Sequence, residues 1–326
     1  MPLSAGVTRQ LLATTLSNYK RRLYDNVTGS NLILATLRAK GRITAVDGGH
    51  DIRGPVIFDE EIFKWYGGLD PLSRDQKETI TEAGFDPGMA VASVTISGEE
   101  RAKNSGRAQI VKLMRGKLDN AENTIKSGIT RGIYGDGTTP NSFVGLDSFV
   151  SEDPTVGTVG GIDGSAAAWW RNKVTTVDMT GADEQAQFRR LRAGMSELYR
   201  KCSVGTEQPD VITLDDPVFG IFESGLQDNQ RYTDADSAKL GFDTLRYRKA
   251  KVVSESDGSA HPENQGYFVN TDFLALEYYE GRLFEELDLA DTTPDLDAVT
   301  KHLGFMGALT TYKRNRHGRL VVTGLD

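Results

Sequence analysis

The chain has 326 residues, 38% of them apolar, and its 46 acidic against 38 basic side chains give a formal charge of −8. That balance argues against a dedicated nucleic-acid binder, whose footprint would be basic overall, while the apolar content suffices for one large core or two. No run reaches the roughly 20 apolar residues of a membrane span, the start Met1-Pro2-Leu3-Ser4 lacks a signal sequence, and the single Cys202 leaves no thiolate cluster, so a cytosolic origin is expected.

Val7, Leu11, Leu12, Leu16, Tyr19 and Leu23 form a helical stripe on a segment that carries Arg9, Lys20, Arg21 and Arg22 against Asp25 alone. The pattern is a basic amphipathic arm. It reads either as a helix docked on its own domain with a solvated basic face or as an arm that binds a partner. A short helix over 31–40 comes next. From 41 to 96 the pattern changes to short β-like runs, at 43–46, 51–58, 63–66 and 89–96, punctuated by Gly54-Pro55, Gly67-Gly68, Asp70-Pro71 and Asp86-Pro87. So few apolar faces make a poor core, and the segment is expected to project as a two-stranded arm. Deleting 51–87 should then cost the fold little.

The longest helical pattern runs over 97–131, with Ile110, Leu113, Met114, Leu118, Ala121, Ile125 and Ile129 on one stripe. Ser97 and Glu100 have capping-box spacing, and Gly132 stands as a terminator. Such a helix would be roughly 50 Å long, which implies a flat or elongated subunit. Gly106, Gly116 and Gly128 weaken it locally.

Turn-rich residues 135–140 come next, then a hairpin in 155–178 anchored by Trp169-Trp170. Phe188, Leu191, Met195, Leu198 and Tyr199 mark a helix, 211–214 a buried strand and 217–226 a second helix. Residues 227–241 read as an exposed polar loop, 245–253 and 266–279 as strands. Acidic residues crowd 277–297, whereas Lys301, Lys313, Arg314, Arg316 and Arg319 dominate the end. Charge is segregated along the chain.

Catalytic groups are sparse. His50, His261, His302 and His317 are scattered without the i, i+4 spacing that binds zinc, and no Gly-x-Ser-x-Gly elbow or phosphate loop occurs. Asp215-Asp216 after a strand is the best acid/base candidate, yet the pair would equally cap the helix that opens at Pro217. Asp291, Asp295 and Asp297 lack the glycine and glutamate of a calcium loop, and Cys202 at a helix end reads as a packed residue. No cofactor or metal is expected.

The order of parts, with Gly135-Asp136-Gly137-Thr138, Gly145-Leu146, Gly160-Gly161-Ile162-Asp163, Trp169-Trp170-Arg171-Asn172, Asp228-Asn229 before Arg231-Tyr232, and Gly266-Tyr267-Phe268-Val269-Asn270-Thr271, resembles the major capsid proteins of tailed bacteriophages, the Hong Kong 97 fold. Gly307-Ala308-Leu309 through Gly318-Arg319-Leu320 resembles the family's last strands. The resemblance implies an α+β chain with an N-terminal arm at 1–40 and an extended β loop at 41–96. It implies a peripheral domain at 97–180 and 302–326 holding the spine helix 97–131, and an axial domain at 181–301 with loop 227–241 at the symmetry axes.

For function, the resemblance implies a structural shell subunit without catalysis, assembling through pentamers and hexamers into an icosahedral phage head around double-stranded DNA. Scaffold and portal proteins are its expected partners, no membrane is, and assembly is expected in the host cytoplasm. Lys64, Trp65 and Tyr66 are the expected intersubunit contacts; Arg9, Lys20, Arg21 and Arg22 would face scaffold or DNA inside the shell. The alternatives are an encapsulin-like nanocompartment shell and, remotely, a carboxylate-dependent hydrolase centred on Asp215 and Asp216.

Overall fold

The computed structural model describes residues 31–68, 75–103, 107–227, 245–255, 261–287 and 298–325. The first helix, α1 (Leu32–Ala39), starts where the Asn31 side chain accepts from the amides of Ile33 and Leu34, at 2.8 and 3.2 Å. That cap satisfies two donors that helix geometry leaves orphaned. Leu32, Ile33, Leu34 and Leu37 are all buried, so α1 is a core helix.

Strand β1 (Ile43–Val46) is followed by the hairpin β2 (Ile52–Ile57) and β3 (Ile80–Phe85), paired from Ile52 opposite Phe85 to Ile57 opposite Ile80. Strand β4 (Gly88–Ser97) then leads into α2 (Gly98–Lys103) and the long α3 (Arg107–Tyr134). The capping box forms as the sequence predicts: the Glu100 amide donates to Ser97 Oγ and the Ser97 amide to Glu100 Oε2, both at 3.2 Å. The helical span differs from the expected 97–131. Ser97 is the last residue of a strand, and the helix continues through Gly132 to Tyr134. Gly132 does not terminate it; a Cβ there would stand 2.7 Å from the Phe143 ring, so this glycine admits a close approach. Ala121, Ile125, Ile129 and Ile133 are buried at four-residue steps and hold α3 against the core.

After α4 (Leu146–Phe149) and the short pair β5 (Thr158–Val159) and β6 (Ile162–Asp163) come β7 (Lys173–Asp178), α5 (Glu184–Cys202), β8 (Val211–Asp215) and α6 (Asp216–Gln227). The chain ends with β9 (Leu245–Tyr247), β10 (Ala250–Glu255), β11 (Gln265–Val269), β12 (Leu274–Leu287), β13 (Ala298–Thr311) and β14 (Gly318–Thr323). The expected strand 245–253 is thus a tight hairpin, and 266–279 is two strands parted by a 3-10 turn at Thr271–Phe273. Run 63–66 forms no strand.

Two sheets organise the chain. One has the order β1-β12-β13-β4 and the other β7-β14-β11-β8-β10-β9. Side chains alternate across β8, so Val211 enters the core built by α1, α3 and the four-stranded sheet, while Ile212 and Leu214 enter the core covered by α5 and α6. The six-stranded sheet is therefore apolar on both faces, which is why its strands read as continuous rather than alternating runs.

The β arm does not stand outside the fold as the sequence suggested. Ile52, Val56, Ala83 and Phe85 are buried, and Phe85 meets Phe149 and Tyr312 edge-on at 5.3 and 6.0 Å. Gly54-Pro55 is no turn: both residues lie inside β2, where a Cβ on Gly54 would come within 2.3 Å of the Tyr312 ring. The second half of the segment, β4, pairs with β13 from Ser97 opposite Ala298 to Gly88 opposite Gly307. The base of the arm belongs to the core, so deleting 51–87 is now expected to cost the fold heavily rather than little.

Candidate interaction surface

The acid/base candidates Asp215, Asp216, His261 and His317 are hydrogen-bonded within the fold. Asp215 Oδ2 accepts from the Asn264 amide and Asp216 Oδ1 from the Ser254 hydroxyl, each at 2.7 Å, so both carboxylates fasten neighbouring segments to β8 and α6. His317 is fully buried; its Nδ1 accepts from the Asn270 amide at 3.3 Å and its Nε2 stands 3.1 Å from Thr311 Oγ1. Burial and the nearby Arg314 guanidinium depress its pKa to about 3. His261, between Thr213 and the Pro262 carbonyl, is lowered to about 4 by burial. The Cys202 thiol is enclosed at the end of α5 and pushed up to about 12 by burial, as befits a packed residue. Among the described residues no group of three or more His, Cys, Asp or Glu could hold a metal. No described helix is long and apolar enough to cross a membrane. Asp291, Asp295 and Asp297, the basic residues Arg9, Lys20, Arg21 and Arg22, and nearly all of loop 227–241 lie outside the described residues.

What remains conspicuous is the far end of the arm. At its base, the tight turn of β5 and β6 abuts β3: Gly160 and Gly161 have φ of +62° and +78°, and the Gly84 amide donates to the Gly160 carbonyl at 3.1 Å. Trp170 anchors this hairpin by donating Nε1–H to the Val159 carbonyl at 3.0 Å, and Phe58 stacks on Trp169 at 5.4 Å. Beyond Phe58 the strand is tied sideways. Lys77 bonds Asp59 at 2.8 Å and the Glu60 carbonyl at 3.1 Å, and the Thr79 hydroxyl donates to Glu61 at 2.7 Å. The Lys77 ammonium and the Glu60 amide hold the Asp59 carboxyl below its usual range.

Past Glu61 the apolar side chains are exposed among the described residues. Ile62, Phe63, Trp65 and Tyr66 expose 48%, 75%, 87% and 64% of their surface, and Phe63 meets Trp65 edge-on at 5.2 Å. Lys64 is exposed between them. Ile57 and Ile80, opposite each other where β2 and β3 end, are 76% and 61% exposed. Exposed apolar side chains grouped in this way make the tip the candidate interaction surface of the described residues. Sequence reasoning picked out Lys64, Trp65 and Tyr66 but missed Ile57 and Ile80, whose cross-strand pairing became visible only with the register. It also missed the buried face Ile52, Val56, Ala83 and Phe85, for which the i, i+2 spacing within each strand was the available signal.

The fold defined here is an α+β arrangement of two sheets, a long helix and an arm whose apolar tip is bare, without an assembled catalytic centre among the described residues. No protein-family model matches the sequence, and no curated protein matches it. Solved structures do. A chain of the cyanophage A-1(L) capsid asymmetric unit superposes with a TM-score of 0.61 at 17% identity, covering 86% of this chain and 91% of that one. A chain of Mycobacterium phage Bobi gives 0.55 at 13% identity over 88% and 90%, and one from the bacteriophage PhiM1 mature capsid 0.51 at 12% over 88% and 87%. The chain has the Hong Kong 97-type fold of tailed-phage major capsid proteins.

Proposed function

We propose that this protein is a structural shell subunit, the major capsid protein of a tailed-phage head, and that its copies associate through pentamers and hexamers into an icosahedral shell enclosing double-stranded DNA. The observation that carries the reading is the bare tip of the arm, Ile62 to Tyr66, on a scaffold whose other large apolar groups are mostly enclosed. Aromatic side chains bury on the order of 150–250 Å² each, so Phe63, Trp65 and Tyr66 supply the apolar centre of a contact whose standard size is roughly 1,600 Å² in total. Lys64 lies between them as a polar rim contact. The fold shared with phage capsid chains supports the same reading.

The proposed division places the N-terminal arm at 1–40, the extended loop at 41–96, the peripheral domain at 97–180 and 302–326, and the axial domain at 181–301. Strands β7 and β14 join the six-stranded sheet from outside that last range and would tie the two domains together. Arg9, Lys20, Arg21 and Arg22 would face scaffold or DNA on the inside, and a scaffold and a portal complete the assembly, which takes place in the host cytoplasm. The test is expression of the full chain with and without scaffold, read by sedimentation and electron microscopy. Closed shells or capsomers are expected. A monodisperse monomer at high concentration under both conditions would count decisively against the proposal, and shells that enclose only protein would move it to a nanocompartment.

A further inference from the structure

On a chain of net charge −8, the outer face of α5 is cationic. Arg189, Arg192, Ser196 and Arg200 succeed one another at steps of three, four and four, and so share one stripe of the helix, roughly 16 Å long. The three arginines are exposed. At Ser196 the stripe gains a fourth guanidinium from the β9–β10 turn: Arg200 Nη1 and Arg248 Nη2 both donate to the same Ser196 Oγ, each at 3.0 Å. Two like charges are thereby gathered around one hydroxyl.

Arg248 is held there at a cost. Its φ is +55°, a left-handed conformation that a side chain with Cβ adopts reluctantly, and its guanidinium lies 4.9 Å from the Tyr199 ring centre and 5.8 Å from that of Tyr247. No carboxylate pairs with Arg189, Arg192, Arg200 or Arg248 among the described residues. The acid beside them, Glu197, bonds Lys201 at 2.7 Å and acts on Arg200 only through its charge. Arg190 turns away to the carbonyls of Asp178 and Thr180, and Lys249 is exposed next to Arg248.

We propose that the Arg189–Arg192–Arg200–Arg248 stripe is a phosphate-binding track for a nucleic-acid backbone. A row of exposed guanidinium groups matches a polymer of phosphodiesters, whose two unesterified oxygens accept from converging donors such as Arg200 and Arg248. The competing occupant is an acidic surface of another protein. Protein contacts, however, need an apolar centre, and between these arginines the stripe offers only Ser196 and the small side chain of Ala193. The track binds backbone and reads no sequence. The inference rests on the shell reading only for the identity of the polyanion.

The experiment measures binding of the full-length protein to a labelled random-sequence duplex by fluorescence anisotropy across a salt series. It is run on the parent, on R192Q/R200Q/R248Q, and on the arm variant R9Q/K20Q/R21Q/R22Q as a separate background. Each lost phosphate contact lowers the slope of log affinity against log salt by about 0.9. The triple variant should therefore lose roughly two to three from the slope and at least about tenfold in affinity in either background, with its circular dichroism melt unchanged. An unchanged slope overturns the proposal. So does equal displacement of the duplex by poly-glutamate at matched charge, which would assign the stripe to an acidic protein partner. If the triple variant misfolds, R200Q and R248Q are measured singly, each expected to lower the slope by about one. Because binding is read on unassembled protein, stripe-dependent binding without shells would sink only the shell proposal, and shells with stripe-independent binding would sink only this one.

Discussion

The base and the tip of the β arm belong to one continuous segment and behave oppositely. At the base, Ile52, Val56, Ala83 and Phe85 face the core beside Phe149 and Tyr312; at the tip, Phe63, Trp65 and Tyr66 are exposed, with Phe63 and Trp65 edge-on to each other. Hydrophobic burial is the main driving force for folding and for association alike, and what separates the two is whether the covering surface comes from the same chain. The base is part of what folds the subunit. The tip is exposed among the described residues, and in the proposed shell it is the part left for a second molecule.

The largest effect should fall on the base. Phe85→Ala is expected to destabilise the protein by about 3–5 kcal/mol in urea unfolding, since it empties a buried aromatic site between two rings. Joining His50 to Gly88 should abolish cooperative unfolding altogether, and a deletion variant that still melts like the parent would show that the base is dispensable. At the tip the expectation reverses. Phe63→Ser with Trp65→Ser should leave the unfolding midpoint unchanged while weakening association by about 2 kcal/mol or more per contact, some 30-fold, read by sedimentation. A loss of monomer stability would mean that the tip is covered within the chain after all.

Acid should separate the scaffold from the tip next. His317 and His261 have folded pKa values of about 3 and about 4, below the 6.5 of an unfolded histidine. Between pH 6.5 and those values the unfolded chain binds protons that the folded chain refuses. The stability they contribute is complete above pH 6.5 and is lost as pH falls, by up to about 1.4 kcal/mol per pH unit for each residue. Glu255 works the other way: burial raises it to about 7, so it favours the folded state at low pH and loses that contribution as pH rises from about 4.5 to 7. A His317→Gln variant should have a flatter acid limb of stability against pH; an unaltered limb would show that His317 is protonated in the folded protein. The smallest change expected is at Arg53, which pairs with Asp51 and Glu82 on the solvent side of the base at 2.6 and 2.7 Å. Arg53→Gln should leave the urea midpoint within measurement error, because exposed ion pairs contribute little.

Much of the fold was legible because its signals were local. The capping box at Ser97 and Glu100, the core helix after Asn31, the buried strand at β8 and the two helices flanking it all announce themselves through spacing within a few residues. The errors arose where the cause was distant. Gly54-Pro55 read as a turn because the Tyr312 ring that requires the glycine lies far away in sequence, and Gly132 read as a helix end because Phe143 was invisible. Asp215 and Asp216 were weighed as caps or acids, yet their partners Asn264 and Ser254 arrive from separate segments. The tip aromatics were legible as residues without an evident core, and the cationic stripe only in part, since Arg248 joins it through a turn that helical periodicity does not reach.

The enclosure of Cys202 has a practical corollary for following assembly. A thiol with no exposed surface and a pKa near 12 is almost entirely protonated and shielded at neutral pH, so maleimides and disulfide reagents find no target among the chain's native side chains while it stays folded. A cysteine placed at position 65 would be the one reactive handle on the molecule. Its alkylation rate, fast in free subunits and slowed wherever a neighbour covers the tip, would time the growth of any particle directly, with the wild-type chain as a silent background.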